Sequence, residues 1–274
     1  HANQEFLMVC AKKQEKVLPA AVVNEAVAEK VASITEEEGR PVSRKERADI
    51  KDDVTMTLLP RAFTRSSLQF AYIALQQGYI VINAASAAKA EELLSSLRDV
   101  LGRLSVVPLL SKQLPHQGMT EWLTSAAAPL PFVLGDECEL SDEKEAGSVI
   151  RCKHQDLAAE EIHQLLTSGM IVTKLGLQWR EGVSFVLDDQ LAIKRLRFED
   201  NIQEKADGLE AQDEHEKFDI EFSVMTLELT AFIRDLVEAL GGMDMNAPSV
   251  DEIVAQATKD DASTMRSTGV DELV

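Results

Sequence analysis

The chain has only three cysteines in 274 residues, Cys10, Cys138 and Cys152, and no two form a CxxC pair. That spacing argues against a disulfide framework and against a zinc site, and it fits a reduced compartment. Long apolar runs are missing as well. The longest, residues 70–75 and 79–82, fall far short of the ~18–20 residues that span a bilayer. No cationic, apolar leader marks export. The expectation is a cytoplasmic protein with no membrane partner. The chain opens on His1 and runs almost directly into a strand, which predicts that a further N-terminal segment precedes it.

Catalytic signatures are equally scarce. No Walker lysine loop, GxGxxG, GxSxG or HExxH occurs. Glu160 and His163 supply half of a di-iron carboxylate motif, and no second ExxH completes it. A surface ion pair is the plainer reading of those two. The histidines, His1, His116, His154, His163 and His215, are scattered and accompany no obvious nucleophile. The expectation is therefore no catalytic residue, no metal and no cofactor.

Positive charge is in deficit, with 28 Lys and Arg against 47 Asp and Glu, a formal net charge of −19. The deficit is uneven. Residues 199–221, 136–145 and 243–274 hold most of the acidic surplus, so a segregated basic patch can survive on an anionic body. One stretch concentrates cations: RPVSRKERADIKDDVTMTLLPRAFTR, residues 40–65. Pro41 pushes Arg40 toward extended backbone, and Ser43 followed by Glu46 forms a capping box that starts a helix. At 100° per residue Arg44, Arg47 and Lys51 share a face. Ile50, Val54 and Leu58 form the adjoining apolar stripe, and Asp49, Asp52 and Asp53 lie mostly opposite. Arg44 and Lys45 sit in the first turn, where the helix dipole disfavours cations by roughly some tenths of a kcal/mol. A local rule broken at neighbouring positions suggests an external use for those charges. After Pro60, the run Arg61-Ala62-Phe63-Thr64-Arg65 sets an aromatic between two arginines. Two readings stay open: a solvated helix face followed by a loop, or a phosphate-contacting surface beside a hydrophobic docking residue.

In chain order, residues 6–11 read as a strand ending in Lys12, Lys13 and Lys16. Leu18-Pro19 opens a helix carrying Val23, Val27, Val31 and Ile34 at helical spacing. With the Ser43 helix it forms a protruding αα-hairpin. Leu68, Phe70, Tyr72 and Ala74 alternate before a Gln76-Gln77-Gly78 turn and a return strand at residues 79–84. Ser86 caps a helix whose buried side holds Leu93, Leu94, Leu97, Val100 and Leu101. Residues 109–118 read as a connection, followed by a short helix around Trp122 and strands at 132–134 and 149–153. A helix at 157–166 leads into a meander of strands at 170–179, 183–187 and 191–198. Lys194, Arg195 and Arg197 lie on the last of these, where positive charge protects a sheet edge. Arg151, Lys153, His154 and Gln155 end a strand before a helix, either as a polar connection or as donors to phosphate. The strongest periodicity, Phe218, Phe222, Met225, Leu229, Phe232, Leu236 and Leu240, ends at Gly241-Gly242 and reads as a core helix.

Several stretches in this order resemble the bacterial recombination-associated protein family RdgC. They are CAKKQEKVLP from Cys10, LLPRAFTR from Leu58, SAAKAEELLSSLR from Ser86, VVPL from Val106 and TEWL from Thr120. VIRCKHQDL from Val149, EEI from Glu160, VTKLGLQW from Val172, IKRLRF from Ile193 and MTLELTAFIRDLVEALGG from Met225 continue it. The resemblance covers residues 1–242. It implies an α+β fold with antiparallel sheets, packed helices and a protruding helical hairpin, assembling as a ring-shaped homodimer. Residues 1–18 and 62–110 would form a central α+β domain, 19–61 the helical tip and 111–242 a base α+β domain. Residues 243–274 would be an acidic, disordered tail.

The function so implied is binding of single- and double-stranded DNA without sequence preference, around a positively lined hole, by a nucleoid-associated protein without an active site. It would limit RecA-type recombinase function in recombination and replication-fork repair. DNA contacts would come from Lys12, Lys13, Arg40, Arg44, Lys45, Arg47, Lys51, Arg61, Arg65, Arg151, Lys153, His154 and Gln155. Phe63, in the LPRAF motif, would plug a pocket on the other subunit as the dimer gate. His154 stands where the resemblance leads one to expect lysine, and a histidine carries only part of a positive charge at neutral pH. Two other readings remain: a protein-interaction module acting on a recombinase such as RecA, with DNA secondary, and a nuclease.

Overall fold

The computed structural model describes residues 5–142, 147–200 and 212–244, and places an α+β chain with antiparallel sheets in two compact units that divide between Leu104 and Ser105. The acidic tail expected at 243–274 lies outside the described residues except for its first two positions, and so does much of the acidic stretch before the last helix.

The first unit holds a three-stranded sheet in the order β1-β2-β3, formed by Phe6–Val17, Phe63–Ala74 and Tyr79–Ile82. β1 continues six residues past the expected end, because its polar half pairs residue by residue with the start of β2, from Lys12↔Leu68 to Val17↔Phe63. Backbone pairing, not side-chain burial, carries this ribbon, since almost every side chain on it is exposed. That is why apolar alternation stops short of it.

Between the two strands lie α1 (Ala20–Glu38) and α2 (Arg44–Leu58). Their facing stripes enclose a small core of Val23, Val27, Ile50 and Val54, flanked by Leu18, Val31, Ile34, Val42 and Leu58. α1 ends on Gly39 in the left-handed region at φ 63°, a conformation with no steric cost for glycine. α3 (Ala87–Leu101) is capped by Ser86, whose hydroxyl accepts from the Lys89 amide, and it buries Leu93. Val100 and Leu101, expected on its buried side, are 83% and 58% exposed in its last turn. In its first turn the Lys89 carbonyl accepts from Gln69 at 2.9 Å.

The second unit is a five-stranded antiparallel sheet in the order β5-β4-β6-β7-β8. β4 is Phe132–Asp142, β5 Val149–Lys153, β6 Met170–Trp179, β7 Val183–Asp188 and β8 Ile193–Phe198. Among the described residues the unit's helices are α4 (Pro115–Thr124), α5 (Glu160–Thr167) and α6 (Glu214–Ala239). α4 begins inside the region expected to be a connection; Pro115 occupies its first turn, where the missing N–H costs nothing. β4 runs eight residues beyond its expected end, since its acidic residues find cationic partners on other strands of the sheet. The core gathers where α6 crosses the sheet. Phe232, 1% exposed, meets Phe132, Phe185 and Trp179 edge-on at centroid distances of 6.3, 4.8 and 5.8 Å. The buried Asp235 carboxylate accepts from Trp179 Nε1 at 3.0 Å and from Arg180 at 2.7 Å, so neither the indole N–H nor the carboxylate is left unsatisfied.

β4 bulges between Leu134 and Cys138 where it passes the glycine of β6. A Cβ on Gly176 would lie 2.9 Å from Glu137 Cγ and 3.2 Å from its carbonyl oxygen. The Glu137 side chain therefore lies across Gly176 and reaches Arg195 on β8 at 2.8 Å. Gly176→Ala is expected to destabilise this unit by about 1–3 kcal/mol through overpacking. Urea unfolding measures it, and an unchanged midpoint would show that the strand crossing relaxes freely.

Candidate nucleic-acid interface

Each cation singled out from the sequence is exposed, and the structure separates them by whether an acid already holds them. On α2 the capping box forms as expected: Ser43 Oγ accepts from the Glu46 amide at 3.3 Å, and Glu46 accepts from the Ser43 amide at 3.4 Å. Arg40 is bound into it. Its guanidinium donates to both Glu46 oxygens at 2.9 and 2.8 Å and pairs with Glu38 at 2.6 Å. The Arg40 hydrogen bonds hold the Glu46 carboxyl below its usual range and raise the guanidinium's own pKa. Arg40 thus ties the turn between the two helices, and its charge is largely spent there.

Arg44, Lys45, Arg47 and Lys51 on α2, Arg61 in the short turn after it, and Arg65 on β2 form no ion pair among the described residues. Arg44, Arg47 and Lys51 lie within roughly 60° of helical arc. Asp49, Asp52 and Asp53 of the same helix pair with none of them. Helical geometry explains this, because these acids project to the other side.

The turn at Leu59–Arg61 is held from β1, where Lys16 Nζ donates to the Pro60 and Ala62 carbonyls at 3.2 and 3.1 Å. Sequence reasoning missed this role for Lys16, since only the strand register brings it to the turn. The turn leads into Phe63, which is 89% exposed, opposite Val17. Val17, Leu59 and Met56 are exposed apolar neighbours in sequence or register, at 43%, 43% and 76%. The ribbon register divides the other basic residues. Lys13 and Arg65 share a face with Phe63, whereas Lys12 points to the other. Lys13 pairs with Glu15 at 2.9 Å and Glu92 at 3.0 Å, so of these three Lys12 and Arg65 keep an unpaired charge.

In the second unit the pattern reverses. Arg151 binds Glu139 at 2.6 Å, Lys174 the other oxygen of Glu139 at 2.6 Å, and Lys194 binds Asp188 at 2.7 Å. His154, at φ 52°, sets Nδ1 2.8 Å from Asp136. Lys153 forms no ion pair among the described residues, and the Gln155 backbone N–H donates to the Asp136 carbonyl at 3.1 Å. β5 and β8 are the sheet edges. Burial pushes the Glu139 carboxyl up, but the hydrogen bonds from Lys174 and Arg151 outweigh it and hold its pKa low. A depressed carboxylate stabilises the fold above its unfolded pKa, and that contribution is lost as pH falls through the folded value. Glu139→Gln is therefore expected to flatten the loss of urea stability between neutral and strongly acidic pH. Equal acid sensitivity of the two proteins would contradict it.

Among the described residues no group of three or more His, Cys, Asp or Glu side chains is placed to hold a metal ion, and no helix is long and apolar enough to cross a membrane. The class defined by this fold, with its ribbon-borne helical hairpin and five-stranded sheet, is given by comparison with known proteins. A family model described as "Putative exonuclease, RdgC" matches residues 1–243. A recombination-associated protein RdgC of Pseudomonas entomophila (strain L48) is 47% identical over 245 residues, 89% of this chain and 80% of that relative. The protein of the same description from Pseudomonas paraeruginosa (strain DSM 24068 / PA7) is 48% identical over the same shares, and that of Pseudomonas fluorescens (strain Pf0-1) is 47% identical over 242 residues. The chain belongs to the RdgC family of recombination-associated proteins.

Proposed function

We propose that this protein binds DNA without sequence preference, as a ring-shaped homodimer that encloses the polynucleotide and limits the action of a RecA-type recombinase. The observation that carries the reading is the run of unpaired cations from Arg44 to Arg65, in a protein most of whose other described basic groups are bound to acids. Exposed, unpaired arginines and lysines on a rigid helix release counterions when phosphate replaces water, which favours binding to any sequence. Phe63 beside them is the apolar residue assigned to closing the ring against a second copy. Burying an exposed aromatic in a partner's pocket is favourable, and isologous contacts of this kind close a dimer. Lys153 and Gln155 are assigned a secondary role at the phosphates.

The ring is tested by topology. A closed assembly threaded on covalently closed circular duplex should survive a high-salt wash and be released when the circle is cut. Equal salt sensitivity on circular and linear DNA would contradict enclosure. The nuclease reading has one specific support, the family description, and a magnesium-dependent degradation assay separates it from binding alone.

A further inference from the structure

We propose that Cys138 and Cys152 form a reactive dithiol site that a low-molecular-weight disulfide converts reversibly into an intramolecular cross-strand disulfide. The two residues are direct partners in the antiparallel β4–β5 ladder, so their side chains leave the same face of the sheet. Directly opposed residues hold their Cβ atoms about 4.5–5.5 Å apart. A disulfide needs about 3.5–4.5 Å, with Cα atoms about 4.4–6.8 Å apart. Closing that small gap asks only for a slight approach of β5, an edge strand with no further strand beside it among the described residues. Both cysteines are free in the structure. Cys138 is buried, and burial first, then the adjacent Cys152 sulfur, pushes its pKa up to about 12. Cys152 is half-buried on the edge strand and is the more accessible residue of the two. Cys10 stands opposite Phe70 in the other unit and has no thiol partner in register.

The chemistry follows from this asymmetry. The Cys152 thiol loses its proton to solvent, and its sulfur attacks one sulfur of the oxidant. This forms a protein–oxidant disulfide and expels a thiolate. Cys138 then loses its proton and attacks Cys152 Sγ, which expels the second thiolate. The two cysteines give up two electrons and two protons, and the oxidant leaves as two thiols. The product would tie β5 covalently to β4 just before Lys153, His154 and Gln155. The site stands independently of the DNA reading.

The test uses the full chain carrying Cys10→Ser, treated in the folded state with glutathione disulfide. Both remaining thiols should disappear, with no glutathione retained in the intact mass. Non-reducing digestion should yield one species joining the Cys138 and Cys152 peptides, and dithiothreitol should restore both thiols. Cys138→Ser should hold one glutathione on Cys152, and Cys152→Ser should leave Cys138 unreacted until urea is added. Retention of both thiols, under conditions that fully modify Cys10 in the unsubstituted chain, would overturn the proposal. Glutathione retained on both sulfurs without a join would do the same.

Discussion

Replacing Arg44, Arg47 and Lys51 together by Ala is expected to make the dependence of log K on log salt for duplex binding shallower by about 2.7, at about 0.9 for each phosphate no longer neutralised. At fixed salt the weakening should be nearly equal across unrelated sequences, because phosphate recognition carries no sequence information. The three side chains are exposed and outside the small core of Val23, Val27, Ile50 and Val54, so the hairpin should remain folded. Three alanines also raise helix propensity slightly. Arg195→Ala is the informative contrast. Its guanidinium is already bound to Glu137 at 2.8 Å, and the slope should stay near that of the unsubstituted protein. Salt titration by fluorescence anisotropy reads both. A slope unchanged in the triple variant would remove α2 from the DNA surface.

The second large effect concerns one residue type in two environments. Phe232→Ala should cost about 3–5 kcal/mol, since it removes a ring that is 1% exposed and packed edge-on against Phe132, Phe185 and Trp179. Phe63→Ala removes a ring that is 89% exposed, and surface substitutions of this kind usually stay within about 0.5 kcal/mol. Its effect should fall on association. Denaturant unfolding should separate the two by several kcal/mol, while sedimentation velocity should show Phe63→Ala weakening the dimer with the subunit intact. A large stability loss for Phe63→Ala would place that ring in a subunit core and end its assignment to ring closure.

The contrast between these phenylalanines marks what the sequence discloses. Phe232 sits in a stripe repeating every three or four residues, and such a stripe identifies a core without further information. Ser43 with Glu46, and Ser86, were legible for a similar reason: caps are local. The polar half of β1 was not legible, because its order comes from backbone pairing with β2 and leaves no apolar alternation. β4 was hidden likewise by Asp136, Glu137 and Glu139, which look like loop residues until partners such as Arg195, Arg151 and Lys174 arrive from other strands. At the candidate interface, the spacing grouped the cations of α2 but not their availability. Arg40 lies in the same basic stretch as Arg44, yet it is held by Glu38 and Glu46. Lys12 and Lys13 are adjacent in the chain and face opposite sides of the ribbon. Spacing gives periodicity; ion pairing depends on register, which only the folded ladder supplies.

The account turns on unpaired cations between positions 44 and 65 outweighing the field of a chain with net charge −19. Anisotropy of labelled oligonucleotides of unrelated sequence, single-stranded and duplex, titrated with the purified chain from dilute buffer upward in salt, tests that directly. The predicted result is binding to all of them in dilute buffer, with log K falling linearly in log salt and little difference between sequences. Absence of binding at the lowest salt, or affinity indifferent to salt, would contradict it.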